Sequence, residues 1–157
     1  MNYIGLNKFD TANGPGIRVS LFVSGCTLHC KGCFNKESWD FNAGKPFTED
    51  TLNEILEALD NPYISGFSLL GGDPFERKNV IEVIRIVSTI KHRFPDKSIW
   101  IWSGRKFEKL NEDPECSTVL AFCDVLVDGP FIESHKVKEK GLYYGSYNQR
   151  VIRIKNI

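Results

Sequence analysis

Three of the five cysteines fall within eight residues, as Cys26-Thr-Leu-His-Cys30-Lys-Gly-Cys33. An odd count with such local crowding argues against a disulfide framework and for metal binding. Iron–sulfur clusters are usually held by four cysteine thiolates. Three close thiolates with no near fourth would leave one iron of a [4Fe–4S] cluster open to an outside ligand, and this is the expected reading of Cys26, Cys30 and Cys33. A zinc site is the alternative, with His29 or a distant cysteine as fourth ligand. Structural zinc usually draws on a second ligand pair, and Cys116 and Cys123, with six residues between them, are poorly spaced for one. Three unrelated structural cysteines would not suit so polar a loop.

Other residues with chemical potential stand at similar points in the pattern. Gly71-Gly72-Asp73-Pro74 closes an apolar run, and its glycines let backbone approach a ligand without Cβ interference; an ordinary turn with Asp73 as a cap is the plainer alternative. Ser103-Gly104 closes another such run and Asp128-Gly129 a third. Asp128 suits either ligand orientation or capping, and Asn148-Gln149-Arg150 either a partner contact or a solvated turn. Cys116 and Cys123 read as small buried residues. His29, His92 and His135 read as surface or packing groups, and Trp100 and Trp102 share a strand face by period two, which suggests core packing.

The elements that must position these groups are legible as alternating strands and helices. Apolar stretches at 17–23, 66–70, 98–102 and 124–127 read as strands, each running into a glycine-containing polar turn. Thr48 suits an N-cap, after which Leu52, Ile55, Leu56 and Leu59 recur at helical spacing. Val80, Ile81, Ile84 and Val87 repeat the period in a helix that stops before Pro95. A weaker helix fills part of 107–122, interrupted at Asp113-Pro114, and 151–154 reads as a last strand. Such alternation predicts an α/β fold with a mostly parallel sheet. Ligands of such sheets sit beyond the C-terminal strand ends, where the cysteines and all three glycine turns fall. A complete (βα)8 barrel takes about 250 residues, so a single domain over 1–157 predicts an open, partial (βα) barrel.

Composition narrows the function classes. Twenty basic residues balance twenty acidic ones, which gives no support to a broad electrostatic grip on nucleic acid or an anionic membrane. No apolar run approaches the roughly 20 residues that cross a bilayer, and the start lacks the basic and apolar regions of a signal peptide. A cytoplasmic protein is expected.

The Cys-x3-Cys-x2-Cys spacing after a strand resembles the radical S-adenosylmethionine (SAM) superfamily. Asn13-Gly-Pro-Gly-Ile-Arg18 is similar to the Asp-Gly-Pro-Gly-x-Arg segment of glycyl-radical-enzyme activases, with Asn13 standing where these often have Asp. Cys30-Lys-Gly-Cys-Phe-Asn35 and Gly145-Ser-Tyr-Asn-Gln-Arg150 add a likeness to those activases that serve anaerobic ribonucleoside-triphosphate reductase. The resemblance runs over about 3–154. It implies SAM and a [4Fe–4S] cluster as cofactors, with the SAM amino group at Gly71, Gly72, Asp73 and Pro74. It also places ribose or methionine against Ser103 and Gly104. Many superfamily members carry an aromatic residue before the third cysteine, where backbone meets adenine; here Gly32 precedes it and Phe34 follows, so the adenine contact is expected around these two. The implied chemistry is reductive SAM cleavage and transfer of the radical to a glycine of the reductase. Only two cysteines remain beyond the triplet, too few for a second four-cysteine cluster, so a flavodoxin- or ferredoxin-like donor is expected as a further partner. An activase for a formate-lyase-type enzyme and a non-enzymatic zinc or iron–sulfur module stay open as alternatives.

Overall fold

Four parallel strands form the centre of the sheet: β2 (Ile17–Val23), β4 (Ile64–Gly71), β5 (Ser98–Trp102) and β6 (Val125–Asp128). The structure is a computed structural model and describes residues 1–154. With β1 (Asn2–Asp10), β3 (Lys45–Pro46) and β7 (Arg150–Arg153) the seven-stranded order is β3-β1-β2-β4-β5-β6-β7. The sheet is open and mixed, because three junctions are parallel and the three involving β1, β3 and β7 are antiparallel. The expected mostly parallel sheet is therefore confined to the centre. β1 escaped the pattern because its side chains are mostly half-buried, with Gly5 and Asn7 interrupting the alternation.

Period-two alternation sorts the central strands into two faces. Val19, Leu21 and Val23 of β2, Phe67 and Leu69 of β4, Ile99 and Ile101 of β5 and Leu126 of β6 share one core. That core is closed by α1 (Glu49–Leu59), α2 (Arg77–Arg93), α3 (Phe107–Glu112) and α4 (Pro114–Phe122). Thr48 caps α1 reciprocally with Thr51, and Asp113 accepts the Glu115 and Cys116 amides to start α4 at the anticipated break. Burial of Cys116 in this core pushes its thiol up to about 11. No helix among the described residues is long and apolar enough to cross a membrane.

The opposite face carries polar and aromatic groups instead. Trp100 is buried there with Val125 and Val127, and half-buried Trp102 and Tyr143 pack against them, so the tryptophan pair packs on the face away from the helices. Arg18 is fully buried on this face. It donates from Nε to Ser68 Oγ (2.8 Å), from Nη1 to Pro15 O (3.1 Å) and from Nη2 to Ser98 O (2.8 Å). Burial lowers its pKa to about 10. Ser68 in turn donates to Asn13 O (2.6 Å), and Asp10 accepts from Asn13 Nδ2 (2.7 Å) and Ser20 Oγ (2.6 Å). The Asn13–Arg18 motif thus folds its own loop over the open face.

Candidate functional site

Beyond the C-terminal ends of β2, β4 and β5, three turns meet in one cleft of about 640 Å³, part of it open to solvent. The β4 turn is joined to the end of β2 backbone to backbone: Gly72 N–H donates to Val23 O (2.7 Å) and Asp73 N–H to Gly25 O (2.8 Å). Both glycines are required for that approach. A Cβ on Gly71 (φ +111°) would lie 2.6 Å from Val23 N, and one on Gly72 would lie 2.5 Å from Gly25 O. The chain therefore enters the cysteine loop directly against the Gly71-Gly72 turn.

Asp73 organises the second turn. Its carboxylate is 1% exposed and accepts from the Ser103 hydroxyl (2.9 Å), Gly104 N–H (3.0 Å) and Phe75 N–H (2.9 Å), with Arg105 Nη1 at 3.0 Å. Burial pushes the Asp73 carboxyl above its ordinary value, against the opposing pull of Arg105 and these donors. Arg105 also donates from Nη2 to Glu76 (2.9 Å), and Glu76 accepts the amide (2.8 Å) and hydroxyl (2.9 Å) of Thr27, the residue after Cys26. Burial opposes ionisation of Glu76, but the Thr27 amide, Arg105 and the Thr27 hydroxyl together hold its carboxyl below the usual range. A continuous ionic chain thus runs from Ser103 through Asp73, Arg105 and Glu76 to the cysteine loop.

Cys26, Cys30 and Cys33 line this same cleft with free thiols. Their loop has little regular structure: Cys33 N–H donates to Cys30 O (3.1 Å), and Asn35 N–H approaches Cys33 Sγ (3.4 Å). The sulfurs are not gathered. Among the described residues no three His, Cys, Asp or Glu side chains are arranged to hold a metal ion. Thiols have no mutual attraction to draw them together, and burial raises the Cys26 thiol above its ordinary value, aided by the Asp73 charge against the Leu28 amide. A cation is what such a set requires before it ionises and closes. Two observations fit an iron–sulfur cluster. The donor set is three soft thiols on one cleft wall, and Trp39, on that wall, carries a buried indole N–H with no hydrogen-bond partner among the described residues.

Of the residues expected to bind SAM, Gly71, Gly72, Asp73, Ser103 and Gly104 come together with the cysteines around the cleft. Pro74 is buried and outside its lining. Gly32 and Phe34 also lie outside it. A Cβ on Gly32 (φ +78°) would fall 2.1 Å from Glu133 Oε2, and Phe34 instead packs on Phe131 (centroids 5.2 Å apart) beside a neighbouring groove. Asp128 faces away. It accepts Phe107 N–H (2.7 Å) and Arg150 Nε (3.0 Å), which makes it a helix anchor. Gln149 lines the cleft, where its Oε1 accepts Gly145 N–H (2.7 Å) and Ser146 N–H (3.1 Å) and its Nε2 donates to Gly129 O (2.9 Å). Asn148 donates to Pro130 O (2.8 Å). Sequence reasoning passed over Thr27, Glu76, Arg105, Trp39 and the placement of Trp102 in the cleft wall. The clue available for the charged pair was that Glu76 and Arg105 each follow an already suspected turn within three residues.

Comparison with known proteins adds to this geometry. Residues 12–152 match the family described as "4Fe-4S single cluster domain". The sequence is 41% identical to the anaerobic ribonucleoside-triphosphate reductase-activating protein of Enterobacteria phage T4 over 151 residues, covering 96% of this chain and 93% of that one. It is also 41% identical to the protein so named in Pasteurella multocida, over 98% of both chains. The Escherichia coli (strain K12) protein of that name is 41% identical over 96% of this chain and 97% of its own.

Proposed function

The chain belongs to the family of anaerobic ribonucleoside-triphosphate reductase-activating proteins, and from that premise we propose that it activates such a reductase as a radical SAM enzyme. One observation supports this reading above the rest: three free cysteines and two glycine turns from different strand ends meet in a single cleft. In this reading Cys26, Cys30 and Cys33 would hold a [4Fe–4S] cluster, which when bound would supply the electron for reductive cleavage of SAM to methionine and a 5′-deoxyadenosyl radical. That radical would take a hydrogen atom from a reductase glycine and leave the radical there.

The residues of the chain position the reactants. Gly71 and Gly72 present backbone to the SAM amino group. Asp73, with its carboxylate already occupied, acts by fixing the Ser103-Gly104 turn at the cleft, beside the methionine or ribose portion, rather than by meeting the ammonium itself. Leu28 reaches across from the cysteine loop to Gly104, where a Cβ would lie 2.3 Å from Leu28 Cδ1, and so narrows the cleft against water. The open sheet serves as a partial barrel, formed by one domain, whose uncovered side is closed by the reductase. The remaining cysteines are both buried, so the electron comes from an outside donor of the flavodoxin or ferredoxin kind.

Anaerobic incubation of the reconstituted protein with SAM, a one-electron reductant and the reductase tests the proposal. A glycyl-radical electron paramagnetic resonance (EPR) signal on the reductase is expected, with methionine and 5′-deoxyadenosine released, and a reductase lacking its radical glycine should not give it. A colourless zinc protein, or efficient hydrogen transfer from a free small molecule with no protein radical, overturns the proposal.

A further inference from the structure

We infer that the Trp39 indole N–H is a hydrogen-bond donor to a sulfur of the iron–sulfur site and raises the readiness of the cluster to accept an electron. The inference rests on the cluster assignment above. Trp39 follows a short 3₁₀ turn (Lys36–Ser38), and its carbonyl accepts the Cys26 amide at 3.1 Å. Its backbone is therefore tied to the first cysteine, and Trp39 lines the cleft with all three. The His29 ring, from the middle of the cysteine loop, stacks on it with centroids 4.3 Å apart and planes 9° from parallel. His29 has φ +48°, the left-handed region that a residue with a Cβ seldom adopts. The loop is thus bent over the indole despite backbone strain.

The indole nitrogen is nonetheless buried without a partner among the described residues. A buried N–H left unpaired costs free energy comparable to a lost hydrogen bond. The stacked His29 cannot relieve this, because an indole N–H lies in the ring plane and His29 lies parallel above it. The other indole on the cleft shows what satisfaction looks like: Trp102 Nε1 donates to Tyr143 O at 2.7 Å. Gathering three thiolates onto a cluster brings sulfur acceptors to the wall that Trp39 forms. Hydrogen bonds to cluster and cysteine sulfurs favour the more negative, reduced state and so raise the reduction potential.

The test is an EPR-monitored redox titration of the reconstituted full-length protein, with iron and sulfide content measured alongside. Three variants separate ring from donor: Trp39→Phe, Trp39 replaced by 3-benzothienylalanine (an isostere with sulfur in place of N–H), and His29→Ala. The benzothienyl protein should retain the cluster but have a lower midpoint potential than wild type, and Trp39→Phe should shift the same way. His29→Ala keeps the donor and should shift the potential less. Equal potentials in wild type and the benzothienyl protein overturn the inference, as does an equal drop in His29→Ala, which would assign the effect to loop posture. A wild-type chain that takes up no cluster overturns the cluster assignment as well, so the two failures are distinguishable.

Discussion

On one wall of the cleft, Asp73 gathers the Ser103 hydroxyl, the Gly104 and Phe75 amides and the Arg105 guanidinium within 3.1 Å. On the other, Cys26, Cys30 and Cys33 sit on a loop with few backbone hydrogen bonds of its own and a left-handed His29, beside an indole N–H that has no partner among the described residues. The first wall is nearly complete in the protein alone: its groups satisfy one another except Arg105 Nη1, which lies 3.0 Å from Asp73 as an ion pair but has no hydrogen-bond partner among the described residues. The second has its ligands on site but no force to draw them together until a metal arrives. Folding thus prepares the wall proposed for SAM, while the cysteine wall is shaped by its cofactor. Glu76 is the joint between them, bonded to Thr27 on one side and Arg105 on the other.

The largest effect should come from the unfinished wall. Replacing Cys26, Cys30 or Cys33 singly by Ala is expected to abolish SAM cleavage, because the site would lose one of its three thiolates. Cys116→Ala and Cys123→Ala, by contrast, alter the helix-side core away from the cleft and should leave activity largely intact. Iron content together with 5′-deoxyadenosine release measures both. Full activity in Cys30→Ala would break the comparison at its first term.

That contrast also marks what was legible in the sequence. The central strands were readable because their side chains are buried or half-buried on both faces, so 19–23 and 99–102 appear as nearly unbroken apolar runs. The triplet and the glycine turns were readable because their chemistry is local. β1 was not, since a half-buried strand with Gly5 and Asn7 carries little alternation. The Asp73–Ser103 and Glu76–Arg105 contacts span 30 and 29 residues, and no local pattern records which distant turn a carboxylate will meet. Asp73 was expected to face the ligand, yet its partners turn it inward. Phe34 was expected at the adenine, but Phe131 holds it outside the cleft.

A smaller effect is expected at the finished wall. Asp73→Asn keeps the shape but removes the charge that holds Arg105 and strengthens the bonds from Ser103 and Gly104. Loss of a charge-assisted contact costs about 1.5–3 kcal/mol, here within the wall and not to SAM, so about one to two decades is the ceiling on lost SAM affinity. SAM binding should weaken by no more than that while iron content stays at the wild-type level, as isothermal titration and metal analysis would show. An unchanged SAM titration in a folded Asp73→Asn variant would make the turn a purely structural feature.

The smallest effect belongs to the joint, and here pH gives the reading. Glu76 has its carboxyl held below the ordinary value of 4.5. The sign follows from that direction. A carboxyl lowered by folding adds stability above its unfolded pKa and loses that contribution as pH falls through the folded one. Asp73, whose carboxyl is raised, works the other way: its ionisation opposes folding, and protonation on acidification removes that opposition. The cysteine loop should therefore detach from the strand-end turns only at pH below about 4.5, the ordinary glutamate range. The Thr27 amide reports this directly, since it donates to Glu76 at 2.8 Å. Followed by NMR in the cluster-free chain, where no acid-labile sulfide interferes, its chemical shift should titrate with a midpoint below 4.5, the ordinary glutamate value. In Glu76→Gln that titration should vanish and the acid limb of the stability curve should flatten, while SAM affinity changes only a few-fold because the Asp73 contacts remain. A Thr27 shift that titrates identically in Glu76→Gln would mean the two walls are joined elsewhere.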